Sequence, residues 1–223
     1  KGLKVNNLMK IQINNKQNIF FCSDSHYGHS GIVMGTSNWD DKSGCRPFQT
    51  IENHDKVLVD NINKTVGKND ILFCLGDWSF GSYKTGENIS NIRKFREQIE
   101  CDNIHLIFGN HDTEIISNKD NSKYLFSSVG YYKEIIVVEH PLRQNEKAIK
   151  QKIVLSHYSH RVWNNMQEGA WMLFGHSHGN LKNIEGKTMD CGFDTNGEFK
   201  PYSYQEIKEI MSNKEISKLD HHG

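Results

Sequence analysis

Ile71-Leu72-Phe73-Cys74-Leu75-Gly76-Asp77 is an unbroken apolar run that stops at a glycine and then offers a carboxylate. A strand that is apolar on both faces must be covered on both, which is the habit of parallel sheets in α/β proteins. Downstream, Ile89, Ile92, Phe95 and Ile99 recur at helical spacing from Asn88 to Ile99. A second apolar run, Ile104 to Phe108, follows and ends at Gly109-Asn110-His111-Asp112. Strand, helix, strand in this rhythm predicts a βαβ unit and a parallel pair.

The same reading extends in both directions. Thr50 is an N-cap for a helix through Thr65, with Ile51, Leu58 and Ile62 on the face that packs on the sheet. Gly28 to Phe48 is rich in Gly, Ser, Asp and Asn and reads as a long loop with one helical turn near Ile32 to Met34. Ile11 to Ile13 and Asn18 to Cys22 read as strands of an opening hairpin about Asn14-Asn15-Lys16, delivering the chain to Ser23-Asp24-Ser25-His26. Toward the C-terminus, Tyr131 to Val138 and Lys152 to Leu155 read as antiparallel strands, the second ending at Ser156-His157. Trp171 to Phe174 is a further strand and runs into Gly175-His176-Ser177-His178. Thr188 to Phe193 is strand-like, and Ser203-x-x-Glu206 is a capping box for a helix with Ile207, Ile210 and Met211 inward. With no internal repeat or Pro-rich linker, the economical account is a single layered α/β domain over residues 9–212, with flexible termini at 1–8 and 213–223.

Composition narrows the partners. Twenty-seven basic residues balance twenty-seven acidic ones in 223, so no global charge argues for nucleic acid or a membrane surface. The longest apolar runs are too short to span a bilayer, and the first residues lack the succession of a signal peptide. The expected location is the cytoplasm. Five scattered cysteines without a C-x-x-C suit free thiols in a reducing compartment.

The chemistry gathers at the strand ends. Five of them terminate in metal-competent residues: Asp24 with His26, Asp77, Asn110 with His111, His157, and His176 with His178. Strand tips on one side of an α/β sheet are where ligands collect. Glycines at Gly76, Gly109 and Gly175 would let the backbone turn sharply and bring the tips together. Mixed carboxylate, amide and imidazole donors suit manganese, iron, cobalt, nickel or zinc, with manganese the first choice, and a lack of cysteine at the tips argues against a structural zinc. Eight such residues exceed what one such ion takes, whereas a pair about 3.5–4 Å apart bridged by a carboxylate has room for most of them.

The ordered series Asp24-x-His26, Gly76-Asp77, Gly109-Asn110-His111-Asp112, His157 and Gly175-His176-x-His178 resembles the calcineurin-like metallophosphoesterases, and the local pattern Asp24-x-His26-x-x-His29, Arg46-Pro47-Phe48 and His157-Tyr158-Ser159-His160-Arg161-x-Trp163 resembles their small bacterial or phage-type members. The resemblance implies a four-layer α/β/β/α sandwich with mixed sheets and a dinuclear centre at the carboxyl ends of its strands. Carried onto this chain, it implies Asp24, His26 and His178 at the first metal, Asn110, His157 and His176 at the second, and Asp77 between them. His176 and His178 would then form a fork. Such a centre implies a bridging hydroxide attacking a phosphate ester in line, with His111 as general acid and Asp112 orienting it.

Departures from the family narrow the substrate. Members acting on phosphoproteins carry an arginine shortly after the bridging aspartate, where this chain has Trp78-Ser79-Phe80-Gly81. The expected substrate is a phosphodiester of a small nucleotide type, with His29, Arg46, His160 and Arg161 as candidate phosphate contacts. Taken singly, an arginine is more often solvated, and Trp78 and Trp163 are more often packing than stacking platforms. His54, His105 and His140 read as ordinary histidines. Two alternatives stand beside the diesterase. A nuclease of this fold should show a basic, aromatic-lined groove, and a catalytically silent binding module should lack ligands or His111.

Overall fold

The computed structural model describes residues 8–13, 17–34, 45–81, 86–117, 124–139 and 147–219. The Asn14-Asn15-Lys16 turn, residues 35–44 of the loop before Phe48, His140 and the outermost residues of both termini lie outside them.

The apolar run that opened the reading is β3, Ile71–Cys74, and every residue in it is buried. Alternation divides its side chains between two cores. Leu72 and Cys74 join the cluster that faces α2 (Ile51–Thr65) and α3 (Glu87–Gln98), while Ile71, Phe73 and Leu75 join the cluster between the two sheets. β2 (Ile19–Cys22) and β4 (Asn103–Ile107) flank β3 in parallel, in the register Phe21↔Phe73 and Phe73↔His105. The rings of Phe21 and Phe73 stack at 5.5 Å.

The helices form where their caps and spacing direct. Thr50 Oγ1 accepts from Asn53 N at 3.2 Å, and Leu58, Val59 and Ile62 of α2 are buried. In α3, Ile92 and Phe95 are buried, whereas Ile89, expected on the same face, is 46% exposed. Phe95 is clasped by Trp78 at 4.3 Å and Tyr27 at 4.7 Å, and both partners are buried. Burial of a single such aromatic stabilises by about 1.5–3 kcal/mol.

The first sheet adds β5 (Ser128–Gly130) beside β4 and β10 (Tyr202–Ser203) antiparallel to β2, giving the order β10-β2-β3-β4-β5. The second sheet has the order β1-β6-β7-β8-β9, built from Leu8–Ile13, Tyr132–Glu139, Ile149–Ser156, Trp171–Phe174 and Thr188–Asp190. Only β6 and β7 are antiparallel in it, as expected from the sequence. Both sheets are therefore mixed, and they face each other across Ile135, Val137, Ile153, Leu155 and Leu173. The outer face of the second sheet, with Val154, Met172 and Phe174, is covered by a thin layer around the 3-10 turn Met166–Glu168, with Trp163 and Ile184. The order of layers is that of the expected α/β/β/α sandwich, with a 3-10 turn standing in the layer outside the second sheet.

The expected opening hairpin is not formed. β1 pairs in parallel with β6 in the second sheet, whereas β2 lies inside the first. Burial explains the split: β2 is buried at every position and needs neighbours on both sides, while β1 buries only Ile11 fully and suits an edge.

The Ser203–Glu206 capping box is present and starts α5, Tyr204–Ser212, which inserts Ile207 and Met211 into the core between the sheets. Beyond it, Lys214 Nζ donates to Thr188 O at 2.7 Å, so this part of the expected flexible terminus touches β9. Two short helices, α1 (Ser30–Met34) and α4 (Thr113–Ser117), follow two of the strand tips. Among the described residues no helix is long and apolar enough to cross a membrane.

Candidate metal centre

β2, β3, β4, β7 and β8 all deliver their carboxyl ends to one edge of the sandwich. The tips are laced together there. Asp24 N donates to Gly76 O at 3.0 Å and His26 N to Asp77 O at 2.9 Å. From the second sheet, His176 N donates to both carboxylate oxygens of Asp24 at 3.1 and 2.9 Å. His157 Nδ1 reaches Leu75 O at 2.7 Å.

Asp24, His26, Asp77, His176 and His178 all have φ between +46° and +67°. L residues rarely occupy this left-handed region, and each instance costs on the order of 1–3 kcal/mol unless its surroundings over-determine it. Five of the seven candidate ligands carry this conformation, which turns each side chain out of its strand direction and into the gap between the sheets. The glycines serve two ends. Gly76 itself turns, at φ 105, whereas Gly175 makes room: a Cβ there would sit 1.8 Å from Ser23 Oγ and 2.6 Å from Asp24 Oδ2.

All seven residues meet. Asp24, His26 and His178 offer atoms within 4.8 Å of one another, as do Asp77, His157 and His176. Asp77 Oδ2 stands 3.5 Å from His26 Nε2 and 3.6 Å from His157 Nε2. Asn110 Oδ1 is 3.1 Å from His157 Nε2. In the His176-Ser177-His178 segment, His178 Nε2 lies 3.7 Å from Asp24 Oδ1 and the His176 ring 5.1 Å from that of His157, toward opposite ligand groups.

The electrostatics fit a cation. Burial pushes the Asp24 carboxyl up to about 7, against the pull of His178. Burial also holds His26 well below the usual imidazole range, with Arg46 and His178 adding to the effect. His26 Nε2 is buried without any hydrogen-bond partner, aimed at Asp24 and Asp77. The Asp24 carboxyl, which resists ionising, and an imidazole nitrogen with no proton partner form a donor set that a divalent ion would satisfy.

Around this centre the remaining candidates separate. His111 is half-buried, its backbone N donates to Asp77 Oδ1 at 2.9 Å, and its ring lies 5.3 Å from His26 and 4.9 Å from Phe80. A third possible metal-holding set joins His111 to His26 and Asp77. Asp112 does not orient His111 as expected. Its buried carboxylate accepts instead from Asp77 N at 2.9 Å, Trp78 N at 3.0 Å and Gly109 N at 2.7 Å, fastening the β3 and β4 tips together. Burial raises this carboxyl to about 7, with the charge of Asp77 adding to the shift and the three N–H donors opposing it.

His29 lies beside the centre, with Nδ1 3.2 Å from His26 Nδ1 and its ring on Phe80 at 3.9 Å. Burial lowers it to about 4, with His111 and Arg46 adding to the effect. His160 stacks on Tyr132 at 6.0 Å and shares with Arg161 a cleft lined by Leu181, Lys182 and Glu185, which contains none of the seven ligands. Arg46 corrects a second expectation. It is 3% exposed and its guanidinium is consumed by internal partners, so it is no phosphate contact at a surface. Trp78 and Trp163 are packing residues, their indole N–H groups donating to Ile92 O and Ala170 O.

Two neighbours of the centre escaped the sequence reading. Asp194, in the 3-10 turn Phe193–Thr195, accepts from His178 Nδ1 at 2.7 Å, and it satisfies the criterion used elsewhere, an acid just beyond a strand end. Tyr158, half exposed, packs its ring edge to face against His157 at 5.0 Å and His176 at 4.7 Å.

Comparison with known proteins agrees with this geometry. The family model described as calcineurin-like phosphoesterase matches residues 17–204. An uncharacterized protein of Methanocaldococcus jannaschii is 33% identical over 96 residues, which span 42% of this chain and 46% of that protein. The gene 66 protein of Mycobacterium phage L5 is 27% identical over 218 residues, 88% of this chain and 95% of that one. Among solved structures, a protein of unknown function from Aquifex aeolicus superposes with a TM-score of 0.54 at 20% identity, over 87% of this chain and 99% of its own, a likeness of fold.

Proposed function

Since the chain belongs to the calcineurin-like phosphoesterase family, whose members hydrolyse phosphoesters with bound metal, we propose that it is a two-metal phosphodiesterase acting on small nucleotide-type substrates. The observation that carries this reading is the shared position of Asp77. One carboxylate oxygen lies within 3.6 Å of an imidazole nitrogen from each ligand group, His26 on one side and His157 on the other. Asp24, His26 and His178 would hold one ion and Asn110, His157 and His176 the other, with manganese, iron, cobalt, nickel or zinc all compatible with these donors.

Bound there, a pair of divalent ions would neutralise phosphate charge and supply an acidified water as nucleophile. The chain's own residues supply the rest. Asp77 keeps the two ligand groups in register, because its Oδ1 is fixed by His111 N and its Oδ2 faces both groups. His111 stands at the mouth, where a protonated ring would donate to the leaving oxygen. Phe80 sets the angle of that ring by packing edge to face against it.

A cleft of about 380 Å³ is lined by His178, Phe48, Phe199, Asn180 and Asn196. Aromatic walls with amides beside them, in a space of this size, suit one nucleobase or aromatic ester group next to the phosphate. The test is hydrolysis of bis-p-nitrophenyl phosphate against p-nitrophenyl phosphate by metal-stripped protein reloaded with manganese. Faster turnover of the diester supports the reading. Turnover of the monoester alone contradicts the diester preference, and turnover of neither removes the enzymatic reading.

A further inference from the structure

Arg46 lies 148 positions from Asp194 in sequence, yet its guanidinium makes a bidentate pair with it and reaches three further acceptors. A guanidinium has five N–H donors, and here each has an acceptor. Nε donates to Asp194 Oδ1 and Nη2 to Asp194 Oδ2, both at 2.8 Å, a bidentate pair. The second Nη2 proton goes to Asp24 O at 2.5 Å. Nη1 donates to Ser25 O at 3.1 Å and to His54 Nε2 at 2.9 Å. Because His54 Nε2 accepts, its Nδ1 carries the proton, which it donates to Asp55 Oδ1 at 2.9 Å. Asp55 in turn accepts from Gly28 N at 3.1 Å.

Two of these partners bear on the first metal position from opposite sheets. Asp24 belongs to the β2 tip and Asp194 to the turn after β9. Asp194 Oδ2 accepts from His178 Nδ1, and the other nitrogen of that ring points to Asp24 Oδ1 at 3.7 Å. A carboxylate paired with arginine is acceptor-only, so its neighbour on the imidazole must be the N–H.

We infer that Arg46 and Asp194 are positioning residues for one metal ion of the pair: Asp194 locks His178 as the tautomer whose Nε2 lone pair faces the ion, and Arg46 fixes Asp194 and the Asp24 backbone in a single rigid unit. This rests on the two-metal reading above and adds an asymmetry to it. No corresponding arginine brace is recorded among the described residues at Asn110, His157 or His176. His157 instead takes its orientation from a backbone carbonyl, Leu75 O. Lysine could not replace Arg46, since a point charge with three donors cannot span a carboxylate, two carbonyls and an imidazole in one plane.

The test is a manganese titration of metal-stripped protein by calorimetry, comparing wild type with Asp194→Asn and Arg46→Lys. Outer partners of metal-bound histidines typically govern affinity by about 10–100-fold. The expected result is two binding steps in wild type, with one step weakened by about that factor in both variants and the other unchanged. Equal weakening of both steps, or of neither, overturns the inference while leaving the two-metal reading standing. A wild type that takes up no ion overturns both. Should the variants fail to fold, nitrogen-15 NMR of wild-type His178, assigned by loss of its signal in His178→Gln, decides the matter. A ring protonated on Nδ1 in metal-free protein supports the inference, and one protonated on Nε2 overturns it.

Discussion

The two ligand groups on either side of Asp77 are built differently. Asp24 and His26 are buried and His178 half-buried, with Arg46 and Asp194 behind them. On the other side only His157 is buried, while Asn110 and His176 are exposed and the nearest aromatic, Tyr158, is itself half exposed. Desolvated, pre-oriented ligands bind an ion tightly, whereas an open set exchanges ions and admits other oxygen ligands. The difference predicts a tighter ion on the braced side and a more readily exchanged one on the open side.

The largest expected effect lies at the junction of the two sides. His111→Ala should take up manganese as wild type does yet lose turnover by about 10²–10⁴-fold on an ester with a poor leaving group, and lose far less on a nitrophenyl ester. Rates on the two esters, with metal content measured alongside, check this. Collapse of metal content would instead make His111 a metal ligand alongside His26 and Asp77.

Next in size is the contrast between the histidines of the fork. His178→Ala should weaken the tighter manganese site and His176→Ala the weaker one, each by at least about 10-fold, the scale of outer-partner losses. Paired calorimetric titrations read this out, and the reverse assignment would undo the account of the two sides.

Asp112→Asn addresses the frame rather than the ions. Its carboxylate takes three backbone N–H groups from the β3 and β4 tips, and an amide can accept only through its one oxygen. Each buried donor left unpaired costs about 1–3 kcal/mol, so denaturant unfolding of metal-free protein should show a loss of that order. The smallest effect is expected from Arg161→Ala. Arg161 is exposed and lines a cleft apart from the ligands, so unfolding should move by no more than about 0.5 kcal/mol and KM for a small diester should not change.

How much of this was legible beforehand depended on the range of the interaction. β3 and β4 announced themselves because burial on both faces leaves a continuous apolar run, and the acid, amide or histidine at each tip broke that run visibly. Thr50 and the Ser203–Glu206 box were legible for a similar reason, since a cap is a contact between residues three apart. Arg46 was not. Its partner Asp194 is 148 positions away, and nothing local to Cys45-Arg46-Pro47 distinguishes a guanidinium with five internal acceptors from a solvated one. Asp112 was assigned by adjacency to His111, whereas two of its three partners, Asp77 N and Trp78 N, sit on another strand's tip. The opening hairpin failed because a polar turn between two apolar runs says that the chain bends there, and says nothing about which strand each run will pair with.

The central claim is that Asp77 stands between two ions. Anomalous diffraction at the manganese edge from crystals soaked in manganese tests it most directly. The account predicts two peaks about 3.5–4 Å apart, one on each side of the Asp77 carboxylate. A single peak, or a pair of peaks with Asp77 outside both coordination spheres, would contradict it.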